Sequence, residues 1–344
     1  MDELRADLLG FIQNPEADAF DALAHRVVAH QVDSIPSYGR LCRARQWDGS
    51  WQTAPLVPTE LFRELDLCGA EPGLAEATFL TSGTTGAGRR GRRRVPDLTL
   101  YHAAMEQPFV THVLRGDRRR RPWLCLLPNI EVQPESSLGH MVHKLADGLA
   151  EPDRTRWCVS ADGVDVSSAW SHLEEQTSRD EPIVVLTTSF ALIQFLDAAP
   201  DRHVRLPQGS VMMLTGGFKG RSRTVDEPTL LGEVTDRLGL SPEDVVPEYG
   251  MTELTSQAYG RPLVAPPWLK IRVMDPDGQR DAEAGERGLV GFFDLLNLDN
   301  VSSILTGDLG VLDDAGALTL LGRVPGAPLR GCSLTAEELG VKGP

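Results

Sequence analysis

Thr81-Ser82-Gly83-Thr84-Thr85-Gly86, directly after the apolar run Ala77 to Leu80, reads as a strand that opens into a hydroxyl-rich glycine loop. Its hydroxyls and its tightly folded backbone N–H groups suit phosphate oxygens. The spacing is not that of a Walker loop, because G-x-x-x-x-G-K-[ST] is absent. A polar turn between a strand and a basic segment is the plain alternative.

Downstream, Arg89, Arg90, Arg92, Arg93 and Arg94 read as solvated surface, with adjacency to the loop giving one of them a role in neutralising a polyphosphate. A second run, Arg115 and Arg118 to Arg121, reads as solvated surface, with an acidic partner as the alternative. Further on, Val245-Val246-Pro247-Glu248-Tyr249-Gly250-Met251-Thr252-Glu253 places a ring, a hydroxyl and a carboxylate just after a short apolar strand. Ligands in open α/β sheets sit at such strand ends. Tyr249 can stack on a base, Thr252 can hold a phosphate and Glu253 can bind Mg2+ through oxygen. Alternatively the segment starts a helix that Thr252 caps and whose dipole Glu253 favours. Leu305-Thr306-Gly307-Asp308-Leu309-Gly310 sets one acid in a glycine turn, suited to a ribose diol.

Short buried strands are expected at Ala77 to Thr81, Trp123 to Leu127, Ile183 to Thr187, Val211 to Leu214, Val245 to Pro247 and Leu289 to Asp294. Most are separated by helical or irregular stretches, including the amphipathic Ser189 to Ala199 and Glu227 to Leu238, which predicts an α/β fold with a largely parallel sheet. Two amphipathic helices, broken at Asn14-Pro15, fill Asp2 to Leu41, and Pro58-Thr59-Glu60 reads as a helix entry. The one boundary falls near Gly322-Arg323, dividing a catalytic domain, 1–321, from a tail, 322–344.

At 344 residues with 41% apolar and 24% charged side chains, the chain is long enough to bury a pocket and unlike a disordered one. Its net charge of −15 argues against broad nucleic-acid binding. No stretch approaches the roughly 20 apolar residues of a membrane span and MDELRADLL is unlike a signal peptide, so a cytoplasmic protein is expected. The five cysteines, Cys42, Cys68, Cys125, Cys158 and Cys332, form no C-x-x-C pair, which speaks against disulfides and structural metal.

Thr81 to Gly86, Tyr249-Gly250-x-Thr252-Glu253 and Thr306-Gly307-Asp308 occur in the order and rough spacing of the acyl-adenylate-forming superfamily. Within it the chain resembles the acyl-protein synthetases of the LuxE type. The likeness runs through Pro58-Thr59-Glu60-Leu61-Phe62, Ser136-Ser137-Leu138-Gly139-His140-Met141, Thr215-Gly216-Gly217-Phe218-Lys219-Gly220 and Leu329-Arg330-Gly331-Cys332-Ser333-Leu334. The resemblance implies the large domain of an adenylate-forming enzyme, with layered, mostly parallel sheets, that consumes ATP and Mg2+. Carried over, it has Ser82, Gly83, Thr84, Thr85 and Gly86 hold the phosphates after Thr81, with Arg89 at the place of the family's basic residue. Gly216, Gly217 and Tyr249 frame the adenine, Thr252 and Glu253 meet the α-phosphate and the magnesium, Asp308 takes the ribose hydroxyls, and Arg323 takes the ribose or a hinge.

Common adenylate-forming enzymes carry a further small domain whose lysine approaches the α-phosphate. The sequence shows none before Pro344, so Lys219 is assigned that charge, against a plain exposed loop lysine. Cys332, 12 residues from the chain end, stands where LuxE-type enzymes carry the acylated cysteine. The alternative for it is a buried structural thiol. Ser189, Phe190, His140, Phe218 and Gly250 are the expected acyl-pocket residues, although core packing also explains the apolar run around Ser189 and Phe190. The acyl group would pass from Cys332 to an acyl-CoA reductase-like partner. A ligase serving coenzyme A or a carrier protein, and a nucleotide-binding or scaffolding subunit without turnover, are the rival readings.

Overall fold

The structure, a computed structural model, describes residues 2–81, 89–216, 225–275 and 280–324. The chain forms two compact units, one made of Met1–Ala104, Met251–Ala258 and Pro262–Pro344, the other of Met105–Gly250 and Tyr259–Arg261. The expected division after Leu321 falls inside Leu318–Arg323, the last strand among the described residues, and the expected tail lies outside them from residue 325 on.

The unit built on 105–250 is organised by a parallel sheet whose strands run in the spatial order Val245–Tyr249, Val211–Thr215, Val184–Thr188, Arg121–Leu126, Ala150–Trp157, with Ala258–Tyr259 at the first edge. Every pair among those five is parallel. Arg121–Leu126, Val184–Thr188 and Val211–Thr215 are buried almost throughout, which is why they read as apolar runs rather than as an alternation, whereas the edge strand Ala150–Trp157 is largely polar and partly exposed. On one face Leu124, Leu126, Val185, Met212 and Leu214 pack against Trp170, Leu173, Leu192, Phe195, Leu230 and Val234 from three helices. Each such Leu, Val or Phe removed from water contributes about 2 kcal/mol, so this face holds the helices on the sheet.

The three helices begin where their caps say: Asp165, Thr188 and Asp226 accept from Ser168 N at 3.0 Å, Ala191 N at 3.1 Å and Thr229 N at 2.8 Å. Chain order along the sheet runs outward from Arg121–Leu126 in both directions. The switch point therefore lies between that strand and Val184–Thr188, where ligand crevices open in such sheets.

In the other unit, Ser303–Leu312 is flanked by antiparallel Gly288–Asp294 and Leu318–Arg323 and by a short parallel pairing with Val57–Pro58, and Leu269–Met274 adds an antiparallel edge. The expectation of parallel strands thus holds for the sheet of the unit built on 105–250 but not for Leu289 to Asp294. Nor does it hold for Ala77–Leu80, which pairs antiparallel with Arg92–Val95. The amino-terminal region holds three helices, not two: Asp2–Gln13, Ala17–Ser34 and Pro36–Ala44. Ile35 is extended at φ −114° because a residue before proline is driven from the helical region, and Pro36 then starts the third helix. Thr59–Arg63 is a 3-10 turn. Among the described residues no helix is long and apolar enough to cross a membrane.

Candidate functional site

At the carboxyl edge of the parallel sheet, Thr188, Thr215 and Glu248 stand in one register row. Beyond it, Gly216 takes φ +87°, a conformation that L side chains resist, and its carbonyl accepts from Ser189 Oγ at 2.9 Å. Ser189, expected in the acyl pocket, thus uses its hydroxyl to hold the Gly216 turn. Tyr249 closes its strand half-buried and Gly250 follows exposed. Phe190, 40% exposed, follows the Val184–Thr188 strand beside the switch point. His140, half-buried, lies in the Ser137–Leu149 helix that follows the other switch-point strand, a helix capped by Ser136 Oγ on Gly139 N at 3.0 Å.

Glu248 has a setting that motif reading missed. It is buried, it accepts from the Thr215 hydroxyl, and burial pushes its carboxyl up to about 7. A carboxylate in an otherwise apolar strand, Val245-Val246-Pro247, was the available signal. Gly217, Phe218 and Lys219 lie outside the described residues.

In the other unit, Thr252 and Glu253 sit on an irregular segment with no helix after it, so the reading of Thr252 as a helix cap is corrected. The backbone of that segment is instead satisfied by buried side chains distant in sequence. Asp294 Oδ2 accepts from Thr255 N at 2.8 Å and Ser256 N at 2.9 Å. Asn297 accepts from Thr255 N at 3.0 Å and donates to Glu253 O at 2.9 Å. Arg93 donates to Leu254 O at 2.7 Å and to Asn297 Oδ1 at 2.9 Å, and also binds the Thr255 hydroxyl. Burial raises the Asp294 carboxyl, with Arg93 opposing, and burial lowers the Arg93 guanidinium. Polar residues inside the apolar stretch Leu289 to Leu298 were the trace of this network in the sequence.

Arg93 and Arg94 are therefore not the solvated surface expected of the arginine run, nor free for a polyphosphate. Arg94 is 5% exposed, binding Asp66 and the carbonyls of Ala70 and Glu71 at 2.8 and 2.9 Å. Arg89 is exposed, and Arg90 Nε donates to Thr81 O at 2.6 Å. Thr81 pairs with Gly91 through backbone and hydroxyl, each at 2.9 Å, which leaves its side chain structural. Ser82, Gly83, Thr84, Thr85 and Gly86 lie outside the described residues. In the second run, Arg115, Arg118, Arg119 and Arg121 pair with Asp244, Glu106 and Asp117, so it is tied into the unit's own acids.

Asp308 is not in a turn. It lies within Ser303–Leu312, opposite Arg323, with Arg323 Nε 3.5 Å from Asp308 Oδ1. Glu253 is 5% exposed and burial pushes it up to about 7, with the Glu253 backbone, Arg93 and Arg323 pulling down and Glu60 pushing up. This unit therefore gathers Glu253, Asp308 and Arg323 into one charge group. The four described cysteines, Cys42, Cys68, Cys125 and Cys158, are buried thiols, and Cys332 lies outside the described residues.

The chain shares its fold with solved ligases. 2-Hydroxyisobutyryl-CoA ligase, in an open conformation with 2-HIB-AMP and CoA, aligns over 90% of this chain and 75% of its own at TM-score 0.64 and 14% identity. The same ligase in its postadenylation state with 2-HIB-AMP aligns over 89% and 67% at TM-score 0.64 and 14% identity. ATP-bound MatB from Rhodopseudomonas palustris aligns over 72% and 48% at TM-score 0.49 and 17% identity. The acyl-protein synthetase family, LuxE, matches residues 26–339, and the chain belongs to it. No curated protein matches the chain.

Proposed function

We propose that the chain uses Mg·ATP to convert a carboxylic acid to an acyl-adenylate and then takes the acyl group onto the thiol of Cys332. In the first step a substrate carboxylate oxygen attacks the α-phosphorus and pyrophosphate leaves. In the second the Cys332 thiolate attacks the acyl carbonyl and AMP leaves, giving a thioester for an acyl-CoA reductase-like partner. The LuxE family match over residues 26–339 carries this reading. The fold shared with a ligase solved with an acyl-adenylate supports it.

Ser82, Gly83, Thr84, Thr85, Gly86 and Arg89 hold the phosphates; Gly216, Gly217 and Tyr249 frame the adenine; Asp308 and Arg323 meet the ribose; Phe190, Phe218, His140, Ser189 and Gly250 border the acid. Thr252 faces the α-phosphate and Lys219 supplies positive charge there. Glu253 fits magnesium: it is a hard oxygen donor whose burial makes an uncompensated negative charge costly. Magnesium commonly binds through one or two carboxylates plus substrate phosphates. When bound, the ion neutralises charge on the departing pyrophosphate.

Intact-protein mass spectrometry after incubation with Mg·ATP and a panel of acids tests the reading. A mass gain mapped to Cys332, lost in Cys332→Ser, is expected, and nucleotide binding without acid-dependent pyrophosphate release defeats it. The coenzyme A bound to the similar ligase favours a second acceptor. If coenzyme A or a carrier protein takes the acyl group, Cys332→Ser keeps full turnover.

A further inference from the structure

Glu248 has no part in the nucleotide assignment, yet its position is costly. It is 6% exposed, and among the described residues its hydrogen-bond partner is the Thr215 hydroxyl. A carboxyl group has two oxygens and room for about four hydrogen bonds, and a buried polar group short of partners costs about 1–3 kcal/mol. The fold does not ask for it. Two register rows earlier, on the same side of the sheet, stand Leu186, Met213 and Val246, all apolar; the next row on that side is Thr188, Thr215 and Glu248, all polar.

The change from apolar to polar falls at the carboxyl edge, where ligands bind in such sheets. Tyr249 and the Gly216 turn follow the same strand ends, and the exposed ring of Phe190 follows the strand of Thr188. A few polar groups placed at such an edge fix the orientation of a small molecule.

We propose that Glu248, steadied by Thr215, reads a hydrogen-bond donor on the acid that this chain activates, so that the substrate carries a hydroxyl or an amino group rather than a plain hydrocarbon chain. The inference rests on the activation reaction proposed above. The Thr215 hydroxyl occupies Oε2 and leaves Oε1 for the ligand. A site built around such a bond rejects the analogue lacking it, because the buried group is then left unpaired.

Acid-dependent pyrophosphate release is measured with matched acids, plain, hydroxylated and aminated, on short branched, aryl and fatty skeletons. Wild-type kcat/KM is expected to be at least about tenfold higher for a donor-bearing acid than for its plain counterpart. Glu248→Leu is expected to bring that ratio to about one. Glu248→Gln, which carries the test if the leucine variant does not fold, keeps an acceptor oxygen without the charge: a hydroxyl preference survives it and an ammonium preference does not.

A purely structural Glu248 would shift Tm and slow all acids together with the ratio intact. An unchanged ratio in a leucine variant that folds, or in the absence of that variant an unchanged preference for amino acids in Glu248→Gln, overturns the proposal, as does a wild-type ratio near one. If no acid releases pyrophosphate from the wild type, the activation reaction fails and the inference falls with it; release without discrimination removes the inference alone.

Discussion

Asp308 and Arg323 face each other as register partners on adjacent antiparallel strands, with guanidinium Nε and carboxylate Oδ1 3.5 Å apart. Arg323 keeps 52% of its side chain in solvent, so the pair adds little to stability, within about 1 kcal/mol. Asp308→Asn is therefore expected to leave the melting temperature nearly unchanged while raising the KM for ATP about tenfold or more. Equal ATP saturation curves for the two proteins would remove Asp308 from the nucleotide site.

Asn297 behaves differently, because its amide bridges Arg93, Thr255, Glu253 and Val301 in a buried setting. Asn297→Ala leaves several buried groups unpaired, and a loss of about 3 kcal/mol in denaturant unfolding is expected. The irregular segment carrying Glu253 loses an anchor, so kcat falls even where the protein stays folded. A variant with wild-type stability and wild-type kcat would show that the network positions nothing.

Glu248 makes stability depend on pH. Its carboxyl rises from an ordinary 4.5 to about 7 on folding, so the unfolded chain releases the proton first and the native state holds it longer. The contribution is complete below pH 4.5 and fades as pH climbs through about 7, a change on the order of 3 kcal/mol. Glu248→Gln should lose this slope: the stability difference between the two proteins shifts in favour of the variant from pH 5 to pH 8. Parallel pH–stability curves would contradict the burial argument.

Much of this was legible in the sequence for one reason: a strand covered on both faces is apolar almost throughout, and 183–187, 211–214 and 245–247 announce themselves. The sheet around Ser303–Leu312 was harder. Gly288–Asp294 is fully buried, so its residues look like a parallel strand although its partners run the other way. Pairing direction is decided by connections, not by side chains. Tyr249, Glu253 and Asp308 came from motifs, but Arg93, Asp294 and Asn297 work as a set that exists only after folding. Arg93 was hidden among arginines, since composition cannot tell a solvated guanidinium from a buried one.

The thiols make a sharper separation. Burial pushes Cys42 and Cys158 up to about 11 and raises Cys68 and Cys125. Brief alkylation of the native protein at neutral pH should spare these four, because the thiolate is the reactive form, and any fast label should map to Cys332. Rapid labelling of Cys125 in folded protein would refute the assignment of the reactive thiol.

The segment Thr252–Gln257 owes its shape to residues far along the chain, with Arg93 161 positions before Leu254 and Asn297 42 positions after Thr255. During synthesis Arg93 is already made when this turn emerges, but Asp294 and Asn297 follow Thr255 only 39 and 42 positions later. The turn's closure belongs to the long-range, slow part of assembly. A nascent chain halted before Asp294 would own a finished parallel core and an unformed acid turn.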